Sequence, residues 1–317
     1  MKVFDNKHVQ LHQSNASELP VDDESIDCVV TSPPYWGLRD YGVDEQIGLE
    51  STPEKYVENM VNVFREIKRV LKSSGTVWLN LGDSYVSNPI SANGANEVRS
   101  NEETGGLQKG YSRRVTYRGG TLKPKDLVGI PWMVGFALRA DGWYLRSDII
   151  WNKPNPMPEP VKDRPTKSHE YIFLLTKSPT YYYDADAIRE PLDTPLHKPG
   201  NKTAYGVVMR TDFGTAAMDR VWGNPSGRNK RSVWTVNTHP YPDAHFATFP
   251  EKLVEPCILA GSPLGGTVLD PFVGSGTTLA VAQRLGRNGI GTDISSEYLA
   301  LASKRLEKVA LPMMLNI

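Results

Sequence analysis

The amino-acid sequence predicts an α/β fold, in which helices cover both faces of a mostly parallel β-sheet. Two observations carry this prediction. Short apolar runs alternate with amphipathic helical patterns along most of the 317 residues, and several of these runs end in polar or glycine-containing turns. Continuous apolar runs are typical of strands buried on both faces of a sheet. The length allows one to two domains.

In the first half of the chain, the predicted elements follow one another closely. The run ESIDCVVTS is a strand, and GTVWLNLGD is the next one. The helix between them carries an apolar stripe that ends at KSSG and consists of Tyr56, Met60, Val63, Phe64, Ile67, Val70 and Leu71. IPWMVGFALRADG is a helix with Pro131 near its start, and WYLRSDIIWNK and HEYIFLLTKS are both strand-like.

The C-terminal part repeats the alternation. FPEKLVEPCILAG is predicted as a helix, GTVLDPF as a strand, TTLAVAQRLG as a helix, NGIGTDI as a strand and SSEYLALASKRLEKV as a helix. Strand and helix therefore alternate up to the end of the pattern, as expected for parallel strands with helical connections.

Two irregular segments interrupt the pattern. Residues 86–123 are rich in Gly, Ser and Asn, with six basic and three acidic residues, and we predict a long mobile loop there. Residues 197–235 contain seven Lys or Arg against two acidic residues, with aromatic residues interspersed. Positive charge concentrated in this way is expected of surfaces that contact phosphates, although solvated loops have the same composition.

Total charge and the two cysteines restrict the function less than the local charge of these segments does. The 36 basic residues balance the 36 acidic ones, so net charge does not favour a polyanionic partner. Cys28 and Cys257 follow no metal-ligand or disulfide spacing, and we expect both to be buried as small apolar side chains. No signal-peptide pattern or long apolar run is found, which predicts a cytoplasmic protein.

The stretch VLDPFVGSGTTLA predicts a ligand site at the end of a strand. An apolar run leads into Asp270 and then into a glycine-containing turn that opens a helix at Thr277. No Lys follows the glycines as it does in a phosphate-binding Walker loop, and Asp270 disfavours an anion. The next strand ends in Asp293, where an acid commonly accepts hydrogen bonds from ribose hydroxyls. A ligand with one cationic end and one ribose fits S-adenosyl-L-methionine.

A second unusual stretch, TSPPY, follows the apolar run IDCVV. Prolines cannot donate to a sheet ladder and have a fixed φ, so this pair ends the strand in a rigid turn. A strand terminator explains Pro33 and Pro34, but it gives no reason for the adjacent Ser32 and Tyr35. We therefore predict a catalytic motif here.

SPPY, followed far downstream by DPFVGSGTT and GTD, resembles the permuted, beta-group amino-methylating DNA methyltransferases of the N4-cytosine/N6-adenine family. In this group the catalytic motif precedes the cofactor motif. RSDIIWNKPNPMP, HEYIFLLTKS and FATFPEKL extend the resemblance over most of the chain. It implies a Rossmann-like methyltransferase sheet formed by residues 1–184 and 236–317, with an inserted target-recognition region at residues 185–235.

The resemblance also implies roles for the SPPY residues. The target base would rotate out of the duplex and stack on Tyr35. The Ser32 side chain and the Pro33 carbonyl would accept hydrogen bonds from its amino group and aim the nitrogen at the methyl donor, with Pro34 making the turn rigid.

Further site residues follow by matching motifs. The implied cofactor-binding residues are Asn15, Ser32, Phe249, Asp270, Pro271, Phe272, Gly274, Ser275, Gly276, Thr277 and Asp293. The implied DNA-binding residues are Arg113, Arg114, Arg228, Lys230 and Arg231. FATFPEKL departs from the usual motif of the family around Phe249, and Asn15 is equally well explained as a turn residue. No metal is expected.

The target base follows from the first motif position. Family members with Ser there typically methylate cytosine N4, whereas those that methylate adenine N6 mostly carry Asp or Asn. Cytosine C5 chemistry needs a Cys nucleophile in a turn, and Cys257 lies in a helical pattern instead. Two further classes stay open, namely an RNA or protein-glutamine methyltransferase and a DNA-binding protein without activity. The implied partners are double-stranded DNA and a cognate restriction endonuclease, in a bacterial or phage-encoded system; the sequence does not distinguish a monomer from a homodimer.

Overall fold

The computed structural model of the chain describes residues 1–38, 40, 42–43, 45–86, 121–192, 226–238 and 250–309. Its nine strands within these ranges are β1 (Lys2–Asp5), β2 (Val9–Gln13), β3 (Ile26–Thr31), β4 (Leu71–Leu81), β5 (Tyr144–Asn152), β6 (His169–Thr176), β7 (Val233–Thr235), β8 (Thr267–Asp270) and β9 (Asn288–Asp293). They form one sheet in the order β1-β2-β9-β8-β3-β4-β6-β5-β7.

The sheet is mostly parallel, as predicted. Strands β2, β9, β8, β3 and β4 run in one direction, and β7 runs parallel to β5. Antiparallel pairing occurs between β1 and β2, between β4 and β6, and between β5 and β6. The β5–β6 hairpin therefore brings the end of β5 and the start of β6 to the same edge as the end of β4.

The helices are α1 (Pro53–Val70), α2 (Ile130–Ala140), α3 (Glu251–Gly261), α4 (Thr277–Arg284) and α5 (Ser296–Glu307). Side chains on the two faces of β3 belong to two different hydrophobic cores. Val29 packs with α1 and α2 on one face, whereas Cys28 and Val30 pack with α3 on the other. A third cluster joins α4 and α5 to β2. Helices therefore cover both faces, and no helix among the described residues is long and apolar enough to cross a membrane.

Three strands escape prediction from the sequence. Strand β1 is largely exposed and β2 mixes apolar with polar side chains, so neither forms an apolar run. Strand β7 has only three residues and lies inside the segment predicted as a target-recognition region. Nearby, Ile188 of a short 3-10 helix, Asp186–Ile188, belongs to the core under α3. The described ends of the 185–235 segment are thus built into the main sheet and its core.

The connections that follow the parallel strands β3 and β8 lead to strands on opposite sides of this pair. The chain runs from β3 through α1 to β4, which is the neighbour of β3 on one side. It runs from β8 through α4 to β9, which lies on the other side of β8. Because β3 and β8 are adjacent, a crevice opens beyond their carboxyl ends, where open α/β sheets bind ligands.

Candidate active site

A pocket of about 300 Å³ occupies this crevice, within the size range of small-ligand sites. Its walls contain most of the predicted site residues from both ends of the chain, namely Asn15, Ser32, Pro33, Pro34, Tyr35, Asp270, Pro271, Phe272, Gly274, Ser275, Thr277 and Asp293. The two motifs are more than 200 positions apart in the sequence, and adjacent strands bring them together.

The SPPY turn is held in place by contacts on several sides. The Tyr56 hydroxyl, on the fully buried face of α1, donates to the Pro34 carbonyl over 2.9 Å. Gly82 makes room for the Tyr35 ring, because a Cβ there would lie 2.5 Å from Tyr35 Cε2. No donor from a described residue reaches the Pro33 carbonyl, and Pro33 lines the pocket.

Behind the turn lies a buried polar network. The Tyr35 hydroxyl is 2.7 Å from Glu170 Oε2 and 3.0 Å from Asn80 Oδ1. Ser32 Oγ is 3.1 Å from Asn80 Oδ1. Lys153 forms an ion pair with Glu170. Burial, reinforced by the Glu170 charge, raises the pKa of Tyr35 well above its usual value, so the phenol stays protonated.

Sequence reasoning missed Asn80, Lys153 and Glu170, all of which line the pocket. Each is a polar residue at or near the end of an apolar strand pattern, in the runs GTVWLNLGD, WYLRSDIIWNK and HEYIFLLTKS. That position is a usable signal, but the antiparallel placement of β6 was needed to bring Glu170 to the pocket edge.

The second wall is built around Asp293, the last residue of β9. Asp293 Oδ2 accepts from the Gly274 amide over 3.0 Å, and Oδ1 accepts from the Ser295 amide over 2.9 Å. These bonds fold the glycine turn and the start of α5 around one carboxyl group. Burial raises the pKa of Asp293 above its usual value. Each oxygen keeps a lone pair for a ligand hydroxyl.

Asp270 was expected to lie beside the cationic part of a ligand, but in the structure its carboxyl group is bonded to donors of the protein. Its carboxyl group accepts from the Thr31 hydroxyl over 2.7 Å, the Thr278 hydroxyl over 2.7 Å and the Phe272 amide over 3.1 Å. The side chain is buried, which raises its pKa to about 6. Asp270 therefore borders the pocket while its oxygens connect β3, β8 and α4.

Gly276 is not part of the pocket wall. It precedes α4 with a φ of 79°, and a Cβ there would lie 3.1 Å from Ala302 Cβ, so its role is the close approach of α4 and α5. Asn15 does line the pocket, and its side-chain oxygen also accepts from the Ser17 amide and hydroxyl. It is thus both a turn residue and a wall residue.

The wall fits the predicted nucleoside ligand with a sulfonium group. Asp293 offers acceptors suited to ribose hydroxyls, and Pro271, Phe272 and Ile294 offer apolar surface beside them. Among the described wall residues of this pocket, Lys153 is the only cation, whereas Glu45, Glu170, Asp270 and Asp293 are acidic. A cationic ligand is therefore compatible with the charges of the wall.

The described members of the predicted DNA-binding set gather around one acid. Arg228, Lys230 and Arg231 lie 3.2, 3.8 and 3.0 Å from carboxylate oxygens of Glu190. Lys230 also lies over the Trp234 ring. One carboxylate offsets part of the positive charge of this group. Arg113, Arg114 and Phe249 lie outside the described residues, as do most of residues 86–123 and residues 193–225.

Both cysteines are buried, as expected. Cys257 lies within α3 and its thiol donates to the Leu253 carbonyl over 3.3 Å. Burial raises the pKa of Cys28 to about 12 and that of Cys257 well above its usual value. Neither thiol lines the pocket, so neither is placed to act as a nucleophile there.

Comparison with known proteins places the chain among enzymes that modify DNA. A family model described as DNA methylase matches residues 26–304. The chain is 48% identical over 289 residues to the Type II methyltransferase M.SmaI of Serratia marcescens, covering 90% of this chain and 86% of that protein. It is also 48% identical over 283 residues to M.Cfr9I of Citrobacter freundii, with 89% and 82% covered.

Two solved structures share the fold. The PvuII DNA methyltransferase (cytosine-N4-specific) superposes with a TM-score of 0.62 at 18% identity, covering 94% of this chain and 86% of that one. TTHA0409 from Thermus thermophilus, complexed with S-adenosyl-L-methionine, superposes with a TM-score of 0.58 at 23% identity, covering 96% and 94%. These likenesses confirm the predicted Rossmann-like sheet.

Proposed function

Since this chain belongs to the DNA methylase family whose model spans residues 26–304, we propose that it methylates the N4 amino group of a cytosine rotated out of the DNA duplex. The chain is an S-adenosyl-L-methionine-dependent DNA methyltransferase of the N4/N6 family, as its Type II relatives also indicate. The choice of base, the rotation of the base and the roles of single residues belong to the proposal.

S-adenosyl-L-methionine supplies an electrophilic methyl group on a positively charged sulfur when it is bound. Asp293 would accept from the ribose hydroxyls, since its oxygens keep lone pairs beyond the two backbone bonds. Phe272 and Pro271 would pack against its apolar parts, and Asn15 lies on the same wall. Asp270 would act indirectly by holding the turn between β8 and α4.

The juxtaposition of SPPY with the cofactor wall is the observation that carries the proposal. An exocyclic amino group is a weak nucleophile because its lone pair is delocalised into the ring. Ser32 and Pro33 line the same pocket as Asp293. The Ser32 hydroxyl oxygen and the Pro33 carbonyl oxygen would each accept one hydrogen bond from the amino group. These bonds would localise the lone pair on nitrogen and orient it for transfer.

Tyr35 would support the rotated base by stacking. Its ring lines the pocket, is packed against Gly82 and is held at the hydroxyl by Glu170. A fixed aromatic face stabilises an unstacked base by about 1 to 3 kcal/mol. This gain offsets part of the few kcal/mol that removal of the base from the duplex costs.

Cytosine N4 is favoured over adenine N6 by Ser32 at the first motif position. A serine hydroxyl is the acceptor that the resemblance associates with cytosine, and the cytosine-N4-specific PvuII enzyme has the same fold. The Type II names of the 48% identical relatives support site-specific modification within a restriction-modification system, and hence a partner endonuclease in the cytoplasm. We propose that the target-recognition region lies within residues 185–235, which include the cations Arg228, Lys230 and Arg231.

The proposal is tested by the product formed on DNA. Genomic DNA from cells that express the wild-type chain should contain N4-methylcytosine, detected by nuclease digestion and mass spectrometry. Cells that express Ser32→Ala should lose it, while the purified variant keeps its affinity for S-adenosyl-L-methionine in calorimetry. N6-methyladenine as the product would contradict the choice of cytosine and leave the enzyme class unchanged.

A further inference from the structure

The polar network behind the SPPY turn contains an ion pair that the proposed roles of Ser32 and Tyr35 leave unexplained. Glu170 and Lys153 are both largely buried, with side chains 15% and 18% exposed. Lys153 Nζ also lies 4.2 Å from the centre of the Trp151 ring. A buried ion pair is weak as a source of stability, so its place beside the reacting groups calls for a different role.

The first step concerns Glu170. The Lys153 ammonium carries only donors, and the Glu170 carboxylate that forms an ion pair with it only accepts. Its Oε2 atom lies 2.7 Å from the Tyr35 hydroxyl oxygen and 3.1 Å from Asn80 Nδ2. Both neighbours must therefore donate to it. The single proton of the Tyr35 hydroxyl is directed at Glu170.

The second step concerns the amide of Asn80, which is 1% exposed. Its Nδ2 atom faces two acceptors, Glu170 Oε2 and the Tyr171 carbonyl, each at 3.1 Å. The reverse orientation would turn an oxygen toward both acceptors. The amide is therefore held with Oδ1 toward the SPPY turn, where it needs a donor.

The third step concerns Ser32. Asn80 Oδ1 lies 3.0 Å from the Tyr35 hydroxyl and 3.1 Å from Ser32 Oγ. Because the Tyr35 hydroxyl donates its one hydrogen bond to Glu170, the hydrogen bond that Asn80 Oδ1 accepts is donated by Ser32. The hydroxyl hydrogen of Ser32 thus points into the network, and its lone pairs are left for the pocket.

We propose that Glu170, paired with Lys153, is a positioning residue that acts through Tyr35 and Asn80 to make Ser32 a hydrogen-bond acceptor, and that this polarity selects a base with an amino group over one with an oxo group. The inference rests on the proposed function of Ser32. A cytosine amino group donates to this acceptor. The oxygen that replaces it in uracil meets the lone pairs of Ser32 and of the Pro33 carbonyl, and both contacts are repulsive.

The test uses Glu170→Gln, which keeps the size of the side chain but brings a donor into the network. Duplexes carry cytosine or uracil at the target position opposite an abasic site, so that rotation of either base costs a similar amount. Binding is measured with S-adenosylhomocysteine, which allows no transfer. The wild-type protein should prefer cytosine at least about tenfold. In Glu170→Gln this ratio should fall toward one, and single-turnover methylation should slow by about 10- to 100-fold.

Two further variants make the result specific. Lys153→Met removes the ion-pair partner of Glu170, and it should lower the cytosine preference in the same direction. Glu159→Gln is a matched control, because Glu159 forms an ion pair with Arg164 at 2.6 Å in the same β5–β6 connection but does not line the pocket. It should keep the wild-type rate and ratio. Cofactor calorimetry and thermal melting verify that each variant is folded.

An unchanged base preference in folded Glu170→Gln would overturn the inference, whether or not methylation slows, since a merely structural residue would alter the rate without altering the ratio. A wild-type protein that methylates adenine would contradict only the proposed base. The comparison of adenine with hypoxanthine, again an amino against an oxo group, then tests Glu170 in the same way.

Discussion

Two acidic residues illustrate how position within a fold decides the role of a side chain. Asp270 and Asp293 both end a strand next to the glycine turn, and the sequence predicts a cofactor contact for each of them, Asp270 beside a cationic group and Asp293 at the ribose. In the structure, Asp293 is bonded to two backbone amides of the turn, whereas Asp270 receives three hydrogen bonds, one of them from Thr31 at the other end of the chain. The sequence identifies both acids, but only the fold shows that Asp270 is bonded to side chains of β3 and α4, whereas each oxygen of Asp293 accepts a single backbone bond and keeps a lone pair for a ligand.

Asp293→Ala should weaken S-adenosyl-L-methionine binding by about 10- to 100-fold, because the acceptors for the ligand hydroxyls are lost. The Gly274 and Ser295 amides also lose their partner, so a modest loss of stability should accompany the effect. Calorimetry on protein that still melts cooperatively measures the change. Wild-type affinity in this variant would remove Asp293 from the cofactor site.

Asp270 predicts a pH effect on stability. Its pKa is raised by burial from 3.8 to about 6, so the folded state holds a proton that the unfolded state loses between these values. The stabilisation of the folded state by this bound proton is fully present below pH 3.8, and it is lost as the pH rises through about 6. Relative to Asp270→Asn, the wild-type protein should lose up to about 3 kcal/mol of unfolding free energy over this window. Urea unfolding at about pH 4 and about pH 6 provides the comparison, and a constant difference between the two proteins would contradict it.

Among the elements, α2 shows how a helix start can depend on a distant residue. Gly129 precedes the helix and has no side chain to cap it. Asp83, which follows β4, accepts instead from the Gly129 amide over 2.9 Å and the Ile130 amide over 3.1 Å. The run IPWMVGFALRADG, with Pro131 near its start, was enough to predict the helix from the sequence. The cap was not predictable, since it comes from 46 residues away.

The same distinction explains which strands were found. Strands buried on both faces, such as β3 and β8, form apolar runs that can be recognised locally. Strands β1 and β7 lie at the two ends of the sheet, and their identity depends on the neighbour that each one pairs with. For the site, the two motif-bearing turns were predictable, whereas Asn80, Lys153 and Glu170 were not, because their relevance comes from strand pairing.

Asp83→Ala should therefore destabilise the protein by about 1 to 2 kcal/mol through loss of the α2 cap. Lys167, whose ammonium is 3.7 Å from Asp83, would also lose a buried partner. Thr52→Ala is a suitable comparison, because Thr52 caps α1 from the usual position with a bond of 3.1 Å to the Lys55 amide. Denaturant midpoints measure both changes, and equal stability of Asp83→Ala and wild type would rule out the cap.

On the scale of the whole molecule, the described residues on either side of residues 193–225, within the proposed recognition region, lie next to each other. Glu190 and Arg228 exchange two backbone hydrogen bonds of 2.9 Å, so the two ends of the intervening segment lie side by side. Strand β7 then pairs with β5, and Trp234 packs in the core under α3. The described strands on both sides of residues 193–225 therefore belong to one sheet.

Replacement of residues 193–225 by a short Gly-Ser linker should leave a folded protein. Cofactor affinity should stay within about threefold of the wild type, because the deletion leaves every described residue of the pocket wall in place. Sequence-specific DNA binding should be lost, and any remaining binding should weaken steeply with salt. Calorimetry and binding assays on specific and scrambled duplexes check this. Retained sequence preference would place recognition elsewhere in the chain.

The bond between Thr31 and Asp270 spans 239 positions and has a consequence for synthesis on the ribosome. At about 5 to 20 residues per second, roughly 12 to 48 s pass between translation of β3 and translation of its partner β8. During that interval β3 lacks its neighbour on one side, and an apolar strand edge is open to wrong pairing. No truncated product that ends before β8 can complete the pocket. The pocket can therefore form only after β8 and β9, which end in Asp270 and Asp293, have been translated.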